Sequence, residues 1–159
     1  MNMQSPTKEH AIIAALLVIS GILCISLGYS LFAAAPPCAG CNAKVGIVSS
    51  PGAEGEVVSL IRSAKETIDV EIYVFTSEDI VRELADAQKR GVRVRVIMEP
   101  RVEDSRKGKV FSLLEASGIE VRWASFEYKL THSKMIIVDG KTALVGSINL
   151  SESALNSNR

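Results

Sequence analysis

Histidine and cysteine are both scarce in this chain, and the scarcity limits the chemistry that it can support. The 159 residues include two histidines, His10 and His132, and three cysteines. A closed structural zinc site needs four ligands, yet no second cysteine pair complements Cys38 and Cys41, because Cys24 lies inside an apolar run. We therefore predict no metal and no cofactor. Cys38 and Cys41 are expected either to form a local or intersubunit disulfide or to remain thiols.

The chain also has no net charge and no internal repeat. Its 18 Lys and Arg residues balance 18 Asp and Glu residues, whereas a dedicated nucleic-acid-binding protein is more often basic. Charge alone therefore does not identify a polyanionic partner. With 47% hydrophobic and 23% charged residues, a chain of this length allows one compact domain and a short appendage.

The appendage is a run without charged residues between Ala11 and Ala35. A transmembrane helix needs about 20 apolar residues, so this run is long enough to form one. The three alanines that end it resemble a cleavage site, but Pro36 follows them directly and the run exceeds the signal-peptide core of about 7 to 15 residues. We therefore favour an uncleaved membrane anchor, with Lys8 weakly indicating an extracytoplasmic domain. Cleavage would instead give a secreted protein.

Residues 1–43 are thus interpreted as an anchor or signal segment followed by a Pro- and Cys-containing linker, and residues 44–159 as the folded domain. Ser77 is placed to cap a helix, and Gly91 and Gly118 to end helices. Predicted strands cover 45–49, 68–75, 92–98 and 119–123, and predicted helices cover 54–65, 78–90 and 107–117. This order predicts an α/β fold, a mixed β-sheet flanked by helices, preceded by the N-terminal apolar helix.

The most informative residues lie between positions 131 and 149. If residues 131–138 form a strand, side-chain alternation places His132 and Lys134 on the same face. An imidazole nucleophile beside a fixed ammonium group suits a tetrahedral phosphate, because the ammonium offsets the charge on the non-bridging oxygens. This pair therefore indicates a site that cleaves phosphodiesters.

The Asp139-Gly140 pair is a strong turn signal between two apolar runs, so residues 131–147 are predicted to form a β-hairpin. Its second strand would return Ser147 and Asn149 toward His132, where they add neutral hydrogen-bond donors. Asp139 has the opposite parity to His132 and lies at the turn. We interpret it as a residue that fixes the hairpin and moves no proton.

The pattern His-x-Lys-x-x-x-x-Asp followed by Gly-Ser-x-Asn resembles the HKD motif of the phospholipase D superfamily. The resemblance extends upstream through residues 71–77, 90–96 and 118–122 and covers roughly residues 44–159. It implies a phospholipase D/nuclease-like fold and a metal-independent phosphodiesterase that forms a covalent phosphohistidine. The motif positions give the expected catalytic residues, which are His132, Lys134, Asn149, Ser147 and Asp139.

One histidine is not enough for this chemistry. In-line displacement needs a nucleophile and, opposite it, an acid that protonates the leaving oxygen, and neither lysine nor arginine has a suitable pKa near neutrality. His10 lies beside the apolar run, so only His132 can serve the site. The chain resembles the single-motif members of the superfamily, such as the small exported bacterial nucleases, in which two subunits share one site. We therefore expect a homodimer.

The substrate is open at this point. A locally basic segment could follow a nucleic-acid backbone, and Phe126 and Tyr128 could stack on bases, so we favour an endonuclease acting on DNA or RNA. The alternative is a phospholipase D or cardiolipin-hydrolase-like enzyme acting on phospholipid. The expected substrate-binding residues of the basic segment are Arg101, Arg106, Lys107 and Lys109.

A further alternative is an inactive, phosphate-binding remnant. Members of the superfamily usually continue past the Asn with a helix and a strand, and commonly supply a downstream carboxylate that orients the nucleophilic imidazole. This chain stops at Arg159, and Glu152 is its only acidic residue after Asn149. We expect either a domain cut short at its C-terminus or a substitute carboxylate, such as Glu152.

Overall fold

The structure is a computed structural model, and it describes residues 16–23, 43–102 and 109–158. Residues 16–23 are helical and exposed, and within the described residues no helix is both long and apolar enough to cross a bilayer. Most of the predicted anchor and linker, with His10 and all three cysteines, lies outside the described residues, as do Arg106 and Lys107. The chain divides into two units, Met1–Val45 and Gly46–Arg159.

The second unit is built on a five-stranded mixed sheet, which confirms the predicted α/β class. The strands lie in the order β3-β2-β1-β4-β5. β1, β2 and β3 are parallel, whereas β4 runs antiparallel to β1 and to β5. The strands are β1 (Thr67–Ile72), β2 (Arg93–Met98), β3 (Glu120–Trp123), β4 (Lys134–Val138) and β5 (Thr142–Val145).

Among the described residues four helices accompany the sheet, and two of them begin or end where the sequence predicts. Ser77 Oγ accepts a hydrogen bond from the backbone N–H of Ile80 at 3.3 Å and caps the second helix. Gly91 and Gly118 follow helix ends with φ of 91° and 76°, a backbone conformation that favours glycine. The helices are α1 (Ala53–Ser63), α2 (Glu78–Lys89), α3 (Val110–Ala116) and α4 (Glu152–Asn156).

Strand alternation divides the sheet into a buried face and a more exposed one. Ile68, Val70 and Ile72 of β1 are buried in the core, together with apolar residues of β2, β4 and the helices. The opposite face carries Ile97 and Val145, which are exposed, among several charged side chains. In the described part of the chain, the core therefore lies on one side of the sheet.

Three of the strand predictions are wrong in whole or in part, and the one for residues 68–75 extends too far, since β1 ends at Ile72. Residues 45–49 are irregular, and Ile47 is 95% exposed, because none of the described strands pairs with this short apolar run to complete its hydrogen bonds. The strand predicted for 131–138 begins only at Lys134. Residues 131–133 are irregular, since only Ser133 continues the pairing with β1, through a 2.9 Å hydrogen bond from the Tyr73 N–H to its carbonyl.

Candidate active site

The motif residues gather where β1 ends and β4 begins. Because these strands are antiparallel neighbours with Ile72 opposite Lys134, the residues that follow β1 lie beside those that precede β4. Tyr73 comes directly after β1, and His132 comes two residues before β4. The sheet order therefore brings Tyr73 to the motif, a neighbour that residue spacing alone does not reveal.

His132 and Lys134 both contact the ring of Tyr73. The imidazole packs edge-on against that ring, with centroids 4.4 Å apart and an interplanar angle of 60°. Lys134 Nζ lies 4.7 Å from the same centroid and donates a hydrogen bond of 2.9 Å to the backbone carbonyl of His132. The imidazole is exposed, and the ammonium is anchored. The imidazole and the ammonium therefore contact the same ring. Strand alternation does not explain this placement, because His132 precedes β4.

Lys134 is largely buried, with 9% of its surface exposed. Burial penalises the charged ammonium and lowers the pKa of Lys134 below its ordinary value. The face of Tyr73 and the His132 carbonyl partly compensate for the lost water. A desolvated cation held beside an exposed imidazole interacts strongly with any anion that displaces the remaining water.

The hairpin returns the second half of the motif to the same place. Gly146 N–H donates to the Lys134 carbonyl at 3.2 Å, which keeps the end of β5 paired with the start of β4. Asn149 Oδ1 accepts from the Val74 N–H at 3.3 Å, so the amide NH₂ group is oriented by the residue after Tyr73. Ser147 is exposed. Asn149 therefore lies at the exit of β1, and Ser147 lines the same cavity as Ile72 and Lys134.

Asp139 lies at the opposite end of β4 and serves the fold. Its carboxylate accepts hydrogen bonds from the backbone N–H groups of Lys65, Glu66 and Thr67, the last two at 2.8 and 2.9 Å. These bonds, that from Thr67 foremost and that from Glu66 next, lower the pKa of Asp139. The side chain ties the hairpin turn to the start of β1, which agrees with its interpretation as a structural residue.

Replacing Asp139 with alanine is expected to lower the thermal unfolding midpoint while leaving kcat per folded molecule near the wild-type value. The backbone φ of 54° is unfavourable for alanine, and three N–H groups lose their acceptor. Asp139→Asn, which tolerates this φ and keeps one acceptor oxygen, is the matched control and should melt between the two. Because the carboxyl pKa is lowered, its contribution is complete above the ordinary pKa and is lost as pH falls through the lowered one. A loss of kcat at unchanged melting temperature would contradict this role.

The described part of the basic segment is held by carboxylates of the protein. Arg101 Nη1 lies 2.9 Å from Glu99, and its other terminal nitrogen donates to the Tyr128 carbonyl at 2.7 Å. Lys109 Nζ lies 2.8 Å from a carboxylate oxygen of Glu78 on the surface. These contacts reduce the charge that both residues offer to a polyanion. The sequence does not predict Tyr73 and Glu99 as site residues. The one sequence signal for them is that each directly follows a predicted strand or lies near its end.

A mixed sheet carrying this motif at the junction of β1 and β4 defines a phospholipase D-like domain. The family model described as "Cardiolipin synthase, PLD-like domain" matches residues 57–159. The chain therefore belongs to the phospholipase D superfamily.

Two solved structures share the fold. The phospholipase D family member Nuc from Salmonella typhimurium is 36% identical, with a TM-score of 0.63 over 67% of this chain and 70% of that chain. NucT from Helicobacter pylori is 26% identical, with a TM-score of 0.58 over 66% and 71% of the two chains. Both similarities therefore extend over about two thirds of the present chain.

Two curated relatives carry lipid-related names. The mitochondrial cardiolipin hydrolase of Canis lupus familiaris is 32% identical over 126 residues, 77% of this chain and 47% of that protein. Cardiolipin synthase A of Serratia proteamaculans is 35% identical over 116 residues, 65% of this chain and 23% of that protein. The chain thus spans about half the length of the hydrolase and about a quarter of the synthase.

Proposed function

We propose that this protein is a phosphodiesterase that uses His132 as its nucleophile. The observation that carries the proposal is the arrangement around Tyr73, where an exposed imidazole and a buried ammonium meet the same ring. Lys134 supplies the positive charge for a phosphate, and the amide of Asn149 and the hydroxyl of Ser147 supply neutral donors.

The reaction has two steps. In the first, an imidazole nitrogen of His132 attacks phosphorus, the N–P bond forms, and the P–O bond to the leaving group breaks as a second histidine protonates that oxygen. In the second, water attacks phosphorus, the same second histidine takes its proton, and the N–P bond breaks to release a phosphomonoester. No metal or cofactor takes part in either step.

The second histidine is proposed to be His132 of another copy of this chain. His132 is the only histidine among the residues that the structure describes, so we propose that a second subunit supplies the second imidazole. A homodimer with a two-fold axis through the site brings two copies of His132 and Lys134 together.

Mixing experiments distinguish a shared site from two independent ones. Wild-type protein and His132→Asn protein are unfolded together, refolded at equal amounts and assayed on a generic phosphodiester. A shared site needs two intact histidines, so the rate per total protein should fall to about one quarter of the wild-type rate, against about one half for independent subunits. Asp69→Asn, which changes a surface carboxylate of β1, replaces His132→Asn in the control mixture. A monomer at assay concentrations would refute the shared site directly.

Nucleic acid is the substrate that we propose first. Phe126 and Tyr128 are 72% and 67% exposed in the segment that leads into His132, and aromatic rings in such positions can stack on bases. The segment is open to solvent, as a strand of nucleic acid requires. The similarity to Nuc, at 36% identity, is consistent with this assignment.

Phospholipid is the second candidate, and a cavity favours it. A space of about 330 Å³ adjoins Lys134 and Ser147. Its remaining lining is mostly aliphatic and comprises, among others, Val48, Val57, Ile72, Ile136, Leu144, Ile148 and Leu150. Part of an acyl chain fits such a lining while its phosphate meets Lys134. The N-terminal apolar run is proposed as a membrane anchor of an extracytoplasmic domain, which would keep the protein at a lipid surface.

A parallel assay separates the candidates. Purified full-length protein with a chelator present is incubated with single-stranded DNA, duplex DNA, RNA and vesicles that contain cardiolipin. Cleaved nucleic acid with intact vesicles supports the nuclease, and the reverse result supports the lipid hydrolase. Leu144→Gln, which places a polar group in the cavity lining, should impair only lipid turnover. Phosphate binding without any turnover would support an inactive remnant instead.

A further inference from the structure

Glu99 is a buried carboxylate that the proposed reaction does not use. It directly follows β2, and none of its surface is exposed. One carboxylate oxygen accepts from the backbone N–H and from the guanidinium of Arg101, each at 2.9 Å. The other accepts from the backbone N–H of Thr131 at 2.7 Å. Thr131 immediately precedes His132, so this carboxylate contacts the backbone next to the nucleophile.

The contacts of Glu99 keep it ionised despite its burial. Burial opposes the charge, but the hydrogen bonds from Thr131 and Arg101 outweigh it and lower the pKa of Glu99. Both oxygens are therefore acceptors at neutral pH, and the side chain cannot donate. A carboxylate in this position requires donors on both sides, and Thr131 and Arg101 supply them.

Arg101 extends the contact to the rest of the segment. Its Nη2 donates to the Tyr128 carbonyl at 2.7 Å, and its guanidinium carbon lies 4.7 Å from the centroid of the Phe126 ring. Glu99 thus fixes Thr131 directly and fixes Phe126 and Tyr128 through Arg101. The segment has no regular secondary structure between residues 124 and 133, so these bonds take the place of a strand ladder.

We propose that Glu99 is a positioning residue for His132, which it holds against Tyr73 by binding the Thr131 N–H and by orienting the 126–131 segment through Arg101. The inference rests on the proposed phosphodiesterase function. His132 lies outside any strand, so its placement depends on what fixes its immediate neighbours. Glu99 never touches the substrate, and its effect is on the rate of the chemical step.

Glu99→Gln tests the proposal with little change in volume. A glutamine has one acceptor oxygen, so its NH₂ group must face either the Thr131 N–H or Arg101, both of which are donors. We expect kcat to fall by on the order of 10²-fold with a smaller change in KM, as for a misplaced reacting group. Amide hydrogen exchange at Thr131 should accelerate, and the His132 imidazole resonance should shift. The imidazole signal is identified by its loss in His132→Asn.

The control is Asp69→Asn, which removes an ion pair with Arg95 of 2.6 Å on the open face of the same sheet. It should leave kcat, Thr131 exchange and the imidazole signal unchanged. Should Glu99→Gln fail to fold, Arg101→Lys replaces it. This variant keeps a cation beside Glu99 but cannot span to the Tyr128 carbonyl, and a smaller fall in kcat with an altered imidazole signal is expected.

The possible failures are distinguishable. If the wild type and Asp69→Asn hydrolyse no phosphodiester, the proposed function is wrong, and the exchange and imidazole signals still decide whether Glu99 holds His132. If the wild type is active and Glu99→Gln folds with unchanged kcat, the positioning role is overturned. A fall in melting temperature with unaltered kcat and imidazole signal would likewise show that Glu99 serves stability alone.

Discussion

His132→Asn is expected to reduce phosphodiester hydrolysis by at least about 10⁴-fold, the upper end of what one general acid or base contributes. The loss is large because the proposed dimer would lose its nucleophile and its proton donor together. Asparagine keeps a polar side chain of similar width on an exposed position, so the melting temperature should remain near the wild-type value. The measurement is a single-turnover rate on the substrate that the parallel assay identifies.

The intermediate provides a second readout of the same variant. Wild-type protein quenched in acid-free denaturant during turnover should carry the phosphoryl group of the substrate, with its remaining ester, on one histidine, and His132→Asn should carry none. Residual activity above about one hundredth of the wild-type rate would place the nucleophile elsewhere, because loss of a single acid or base already costs about 10²- to 10⁴-fold. Asp69→Asn again serves as the matched surface variant.

Lys134→Met is expected to lower kcat by about 10²- to 10³-fold, as removal of one preorganised donor to a developing charge does. Methionine keeps the length and apolar stem of the lysine, so packing against Tyr73 and the cavity is preserved. The fold should therefore persist or gain stability, since a buried charge is removed. A rate within about threefold of wild type would falsify the proposed role of Lys134 in stabilising charge on the phosphate.

The same residue predicts an alkaline limb in the rate profile. Burial lowers the pKa of Lys134, so its proton is lost at a lower pH than that of an exposed lysine, which titrates near about 10.4. Activity should accordingly decline with rising pH before exposed lysines lose their charge. In Lys134→Arg, whose side chain stays charged, the decline should shift to higher pH. An identical alkaline limb in both proteins would assign it to another group.

The hairpin and its neighbours could be predicted from the sequence because their determinants are local. Asp139 and Gly140 specify the turn, and Ser77 provides the cap of α2. The contact of Tyr73 with the motif depends on β1 lying beside β4, and sheet order is a property of the whole core. The sequence of the Tyr73 region alone favours a buried aromatic residue, so its place in the site could not be predicted.

The function of charged residues proved harder to predict than their positions. Arg101 lies in the loop after β2, as expected, but its guanidinium is bound by Glu99 and the Tyr128 carbonyl. From the sequence alone, such an arginine is predicted to be available to a polyanion, because the sequence does not reveal which carboxylate is buried nearby. Whether Arg101 and Lys109 also bind substrate stays a prediction, as does the same role for Arg106 and Lys107.

The HKD stretch carries the proposed nucleophile His132 at one end and Asp139, which binds the start of β1, at the other, with β4 between them. Losses at its two ends should therefore segregate in a mutational screen: variants of Asp139 will be depleted by poor yield and proteolysis, whereas variants of His132 will accumulate normally and fail only in turnover. Selection on abundance alone would retain the second class, which supplies well-folded, catalytically dead protein for trapping bound ligands.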